Sequence, residues 1–174
     1  MKQLLILTLS LLLTVPVFSQ DQEIKVDTIK ATTYYFIRHA EKNRSDANNS
    51  NPNLIQKGFL RAAKWSLVLE HVSFDAIYST HYNRTKQTAQ PTAERNGLDI
   101  TMYDPKNLNS EDFKNNTKRK TVLIVGHSNT TPKFVNDVIG KEKYADIEDS
   151  NNANLYIVTI SSSGEISDTL LVIE

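Results

Sequence analysis

Tyr34-Tyr35-Phe36-Ile37-Arg38-His39-Ala40-Glu41-Lys42 is the stretch on which the reading of the chain turns. Its aromatic and β-branched run predicts a buried strand over residues 32–37. The run stops at Arg38-His39 and gives way to a loop over 42–53, rich in Asn and Ser. A strand that delivers Arg and His at its C-terminal end puts them where open α/β sheets bind ligands. A polar loop of that length right after the pair predicts the rim of a site.

Two later stretches have the same build. Residues 74–79 read as a short strand, apolar at Ala76, Ile77 and Tyr78, that leads through Thr80-His81-Tyr82-Asn83 to Arg84 at the start of a helix. Residues 121–125, Thr-Val-Leu-Ile-Val, read as a strand buried on both faces, followed by Gly126-His127. Gly126 is expected to let the backbone turn sharply and a ligand approach. Arg38, His39, Arg84 and His127 are thus expected to converge on one anion pocket.

Outward from these stretches, apolar periodicity predicts helices over 54–72, 84–95, 108–116 and 131–139, with further strands over 98–103, 154–160 and 165–173. In the first helix Leu60, Ala63 and Leu67 are expected to form the buried face, widened by Phe59, Ala62 and Leu69. Pro91 is expected to kink the second helix or end its first part. Ser110 followed by Glu111 and Asp112 suits a helix N-terminus. Pro132 is expected at the first position of the last helix, and Gly140 at its end. Strands alternating with helices and closing on two consecutive strands predict an α/β protein: a three-layer α/β/α sandwich. Its central sheet is mostly parallel, with an antiparallel edge.

The 20 basic and 20 acidic residues cancel. No global field draws nucleic acid or an anionic membrane, so an anion site must be built locally. There is no cysteine, which removes thiol nucleophiles, thiolate metal sites and a lipoprotein anchor. Residues 1–19 combine Lys2, an apolar run over 4–15 and small residues at Val17 and Ser19, the pattern of a signal peptide cut after Ser19. The expectation is an exported protein, periplasmic or secreted, with 20–174 as its domain and no membrane attachment after cleavage.

The chemistry follows from the residue types. An Arg fork donates in pairs and stays charged, which suits a phosphoryl group. A neutral His can attack phosphorus, and a second His can stabilise the oxygens in transit. The helix beginning near Thr131 adds N–H groups toward an anion. Ser128 and Asn129 beside His127, and Lys42 after the first motif, are further substrate-binding candidates, with Arg44 a weaker one. Trp65 and Tyr82 read as packing residues, and His71 and His81 as surface or structural ones.

Together, Arg38-His39-Ala40-Glu41, then Arg84-Thr85-x-Gln87-Thr88-Ala89, then Gly126-His127-Ser128-Asn129-Thr130 resemble the histidine phosphatase (phosphoglycerate mutase-like) superfamily. The resemblance also takes in Leu54, Gly58 and Arg61-Ala62. It implies phosphorylation of His39, with Arg38, Arg84 and His127 holding the phosphoryl group, and neither metal nor organic cofactor. One branch of the family places an Asp after the second His, where this chain has Ser128. The general acid is therefore sought in Glu111 first, then Asp104, then Glu41. The expected partner is a small phosphorylated substrate or phosphate. The alternatives are a catalytically weak phosphoester-binding protein of the same fold and a phosphomutase. The latter is disfavoured because mutase relatives carry Gly, Ser and a Trp-Asn pair after Arg-His, where this chain has Ala40 and Lys42.

Overall fold

A computed structural model describes residues 30–174; the expected signal segment lies outside the described residues. The elements are β1 (Thr32–Arg38), α1 (Gln56–Val68), β2 (Ala76–Ser79), α2 (Asn83–Asn96), β3 (Ile100–Met102), α3 (Glu111–Thr117), β4 (Thr121–Gly126), α4 (Thr130–Ile139), β5 (Asn154–Ile160) and β6 (Ile166–Val172). They form one six-stranded sheet in the order β3-β2-β4-β1-β5-β6. The first four strands in that order pair in parallel, and β5 runs antiparallel to both β1 and β6. This is the mixed sheet expected, with the β5–β6 hairpin as its antiparallel edge.

Strand alternation divides the core into two layers. Tyr34, Phe36, Val122 and Ile124 face Phe113 of α3 and Phe134, Val135 and Val138 of α4. Ile37, Leu123 and Val125 face the other way, toward Trp65 of α1 and Ala89 and Ala93 of α2. Val122 to Val125 are each at most 1% exposed, so β4 is buried on both faces as its unbroken apolar run requires. Each such side chain contributes roughly 1.5–3 kcal/mol of apolar burial. Trp65 is core, as expected.

Periodicity predicts Ala62 and Leu69 correctly but misplaces the rest of the buried face of α1. Gly58, Ala62, Trp65 and Ser66 are buried, whereas Phe59, Leu60 and Leu67 are exposed. Closeness decides this. A Cβ at Gly58 would stand 2.2 Å from the Glu41 carbonyl oxygen, and Ala62 packs with Ala40 and Leu54. Only small side chains let α1 approach the chain just after His39. The Glu41 carboxylate then receives Arg61 Nε at 2.9 and 3.0 Å.

Pro91 does not end α2, which runs through it. The flanking buried face, Thr85, Thr88, Ala89, Thr92 and Ala93, holds the helix against its neighbours, and the Pro91 carbonyl accepts from Ser66 Oγ at 3.1 Å. Pro132 is the third residue of α4 rather than the first, because the helix already begins at Thr130. Ser110 caps α3, its Oγ accepting from the Phe113 N–H. Gly140 ends α4 in the left-handed region at φ 70°, where a side chain is disfavoured.

Candidate active site

Three neighbouring parallel strands, β2, β4 and β1, deliver the site at their C-terminal ends. Arg38 is paired with Gly126 across β1 and β4, and Ser79 with Val125 across β2 and β4. His39 and His127 therefore emerge side by side. Their rings meet edge to face, with centroids 5.5 Å apart. Gly126 serves this packing in a way not foreseen. A Cβ there would lie 2.6 Å from Thr131 Oγ1 and 2.9 Å from the Tyr103 hydroxyl. Its bareness thus seats the start of α4 rather than a sharp turn.

The backbone at His39 is held on several sides. Its N–H donates to the Gly126 carbonyl at 2.9 Å. Its carbonyl accepts from Asn152 Nδ2 at 2.7 Å, and the next N–H, of Ala40, donates to Thr88 Oγ1 at 2.9 Å. The ring Nδ1 lies 2.7 Å from the Ala40 carbonyl oxygen. A carbonyl only accepts, so Nδ1 carries the proton and Nε2 keeps its lone pair. Burial, reinforced by Arg38, Arg84 and His127, pushes the His39 pKa down to about 3. The imidazole is neutral at any ordinary pH.

His127 is fixed as well. Arg84 Nη2 can only donate, so His127 Nδ1 accepts from it, at 3.4 Å. Nε2 then holds the proton and donates to Thr80 Oγ1 at 3.0 Å. Thr80 passes the chain on to Thr85 Oγ1 at 2.9 Å. Burial first, then Arg84, Arg38 and Lys42, push the His127 pKa down to about 4.

Arg38 is 3% exposed, and its guanidinium is turned to the loop before β5. Nη1 donates to the carbonyls of Glu148, Asp149 and Asn151 at 2.8, 3.1 and 2.9 Å. Nη2 donates to Asp149 Oδ1 at 2.8 Å. The buried Nε–H atoms of Arg38 and Arg84 have no partner among the described residues. Buried donors are rarely left so, and two of them beside two His rings suit an anion. Tyr82 belongs to the site rather than to packing. Its ring lies edge to face with His127, centroids 5.1 Å apart, and Arg84 Cζ sits 4.2 Å from its centroid.

These groups line a cleft of about 340 Å³ with Lys42, Pro105, Ser128, Asn129, Thr130 and Asp149. Burial and the neighbouring guanidinium groups lower the Lys42 pKa. The cleft is cationic on a chain of zero net charge, so the positive field is local, as expected. The 42–53 loop is its rim: Asn51 Oδ1 caps the Asn83 N–H at 2.7 Å, and the Ser50 carbonyl accepts from Arg84 at 3.4 Å. A roomier cleft of about 420 Å³ lies at the other end of the sheet, but it holds no His.

Of the expected residues, Arg38, His39, Arg84, His127, Ser128, Asn129 and Lys42 come together. Glu111 does not line the cleft; its side chain is 80% exposed and pairs with Lys114. Asp104 is exposed and folds back on the Lys106 N–H. Glu41 is spent on Arg61 and Lys57. Asp149, which the sequence reading missed, is the carboxylate of the cleft. It lies 111 residues from its partner Arg38, in a polar connection with no local pattern to single it out.

A family profile, the histidine phosphatase superfamily (branch 1), matches residues 34–105. Over that stretch the chain is similar to the histidine phosphatase superfamily. No curated protein matches the chain. Solved structures do. SixA from Agrobacterium tumefaciens is 22% identical at a TM-score of 0.59, covering 81% of this chain and 98% of that one. The protein histidine phosphatase SixA complexed with tungstate is 15% identical at 0.61, covering 80% and 96%. A mutant phosphoserine phosphatase from Entamoeba histolytica in complex with phosphoserine is 13% identical at 0.59, covering 79% and 94%. At these identities the likeness is one of fold. The matched profile takes in most of β1, then α1, β2, α2 and β3, and with them Arg38, His39 and Arg84; His127 lies beyond it.

Proposed function

We propose that this protein is a phosphatase that hydrolyses phosphate monoesters through a phosphohistidine formed on His39. The observation that carries the reading is a neutral His39 whose Nδ1–H is committed to the Ala40 carbonyl, beside two guanidinium groups with unpartnered Nε–H donors. The phosphoryl oxygens take the Nε side of Arg38, the fork of Arg84 and the N-terminal turn of α4. His39 Nε2 then attacks phosphorus as the bond to the leaving oxygen breaks. The phosphorylated ring keeps its Nδ1–H on Ala40, which stabilises its positive charge. His127 and Arg84 hold the equatorial oxygens during transfer. Water then attacks phosphorus, the N–P bond breaks, phosphate leaves and His39 is restored.

The structurally similar proteins include a protein histidine phosphatase and a phosphoserine phosphatase, which supports a small phosphorylated group as the substrate. The pattern of residues 1–19 supports action outside the cytoplasm. A second reading, a phosphoester-binding protein with weak turnover, is favoured by one observation: among the described residues, the carboxylate lining this cleft is Asp149, and it is held ionised by Arg44 and Arg38.

Hydrolysis of an aryl phosphate with chelator present, by wild type and by His39→Ala, tests both. Chelator-resistant turnover that drops at least ~10³-fold in the variant is expected. Acid quenching should trap phosphate on His39. Label on Ser128 or Thr130 refutes the mechanism, and phosphate binding without turnover selects the second reading.

A further inference from the structure

Arg38 cannot orient itself. Its guanidinium has two edges that could meet a phosphoryl group, and the side chain is a long one with several rotatable bonds. In this fold the far edge is gripped by a single residue twice: the Asp149 carbonyl oxygen accepts from Nη1 at 3.1 Å and Asp149 Oδ1 from Nη2 at 2.8 Å. The Glu148 and Asn151 carbonyls complete the grip on Nη1. Among the described residues Nε alone is left unpartnered. Asp149 Oδ1 also accepts from Arg44 Nη2 at 2.8 Å, which ties the loop before β5 to the 42–53 rim across the cleft. The Asp149 side chain is 71% exposed while that of Arg38 is 3% exposed, so the carboxylate adds little burial of its own. What it does is direct a buried cation.

We propose that Asp149 is the positioning residue of the phosphoryl clamp: held by Arg44, it fixes the guanidinium of Arg38 so that its Nε side faces the phosphoryl group. This rests on the reading of the cleft as a phosphate site, but not on turnover. Asp149 acts through Arg38, does not touch the reacting atoms, and its loss is felt as weaker phosphate binding. A bare anion in a cationic cleft would do the opposite, since removing it would strengthen phosphate binding.

Titration of the full chain with inorganic phosphate, followed by calorimetry, separates the two. Asp149→Ala should weaken phosphate binding about tenfold, the scale of a lost charge-assisted hydrogen bond to a fixed cation. Asp149→Asn keeps the Oδ1 acceptor and should recover most of that loss. In an Arg38→Lys background, which lacks the second nitrogen that Asp149 grips, Asp149→Ala should change affinity by less than about twofold. Unchanged or tighter binding in Asp149→Ala overturns the proposal, as does an equal loss in the Arg38→Lys background. Thermal scans check that the variants fold. Should Asp149→Ala or Arg38→Lys fail to fold, Asp149→Asn decides alone: a loss as large as about tenfold, with no rescue by the retained oxygen, overturns it. Wild-type protein that binds phosphate without turnover would defeat the catalytic reading and leave this test intact.

Discussion

A carboxyl group that protonates a leaving oxygen must reach it, and none of Glu41, Asp104 and Glu111 lines the cleft of Arg84 and His127. Glu41 is bound by Arg61, Asp104 closes its own turn, and Glu111 stands in solvent beside Lys114. Asp149 faces the cleft, but Arg44 and Arg38 lower its pKa, so it keeps no proton at neutral pH. The consequence is measurable at the residue scale. Glu111→Gln should leave kcat within about twofold of wild type, because general acid catalysis, worth roughly 10²–10⁴, is not its role. Esters with acidic phenol leaving groups should turn over at least ~10²-fold faster than alkyl esters, since they need no proton. Steady-state rates over a leaving-group series check this. A flat series, or a large loss in Glu111→Gln, would return Glu111 to the mechanism.

At the scale of elements, the contact between α1 and the chain after His39 decides the geometry of the first motif. Gly58 lies against the Glu41 carbonyl, and Glu41 is two residues from His39. Gly58→Ala should gain helix propensity and still lose stability, because its Cβ has no room beside a backbone oxygen. A cost of about 1–3 kcal/mol is typical of such overpacking, or a fall in Tm of roughly 3–10 °C for a domain of this size. A thermal scan beside a turnover assay reads both effects. A variant as stable and as active as wild type would show that α1 can back away freely. The same contact explains why α1 exposes Phe59, Leu60 and Leu67. Hydrophobic periodicity ranks side chains by transfer free energy, and here closeness of approach outweighed it.

The whole molecule concentrates neutral imidazole in a cationic cleft, and this couples the site to stability. The His39 pKa is pushed down to about 3 and the His127 pKa to about 4, against about 6.5 in the unfolded chain. Between those values the unfolded state binds more protons, so stability rises with pH there. The stabilisation is complete above about pH 6.5 and is lost as pH falls below it. From pH 6.5 to 5 the Tm should drop by about 5–10 °C, and the drop should shrink by about half in His39→Gln. A Tm flat over that range would mean that the rings are not held neutral. Much of the architecture was readable beforehand. The aromatic and β-branched apolar runs over 34–37 and 122–125 point to buried strands, and Arg-His and Gly-His directly after them to strand ends. Strand order settled the rest: β4 lies between β1 and β2, which brings His39, His127 and Arg84 within one cleft. By itself the sequence determined which residue types stand at which strand ends, because a run apolar on both faces of a strand has no polar side to turn to solvent. Only the tertiary structure decided that Asp149 directs Arg38, that Tyr82 lines the cleft and that Glu111 does not. Those contacts join segments far apart in the chain, and local patterning carries no information about which distant surface a polar side chain will meet.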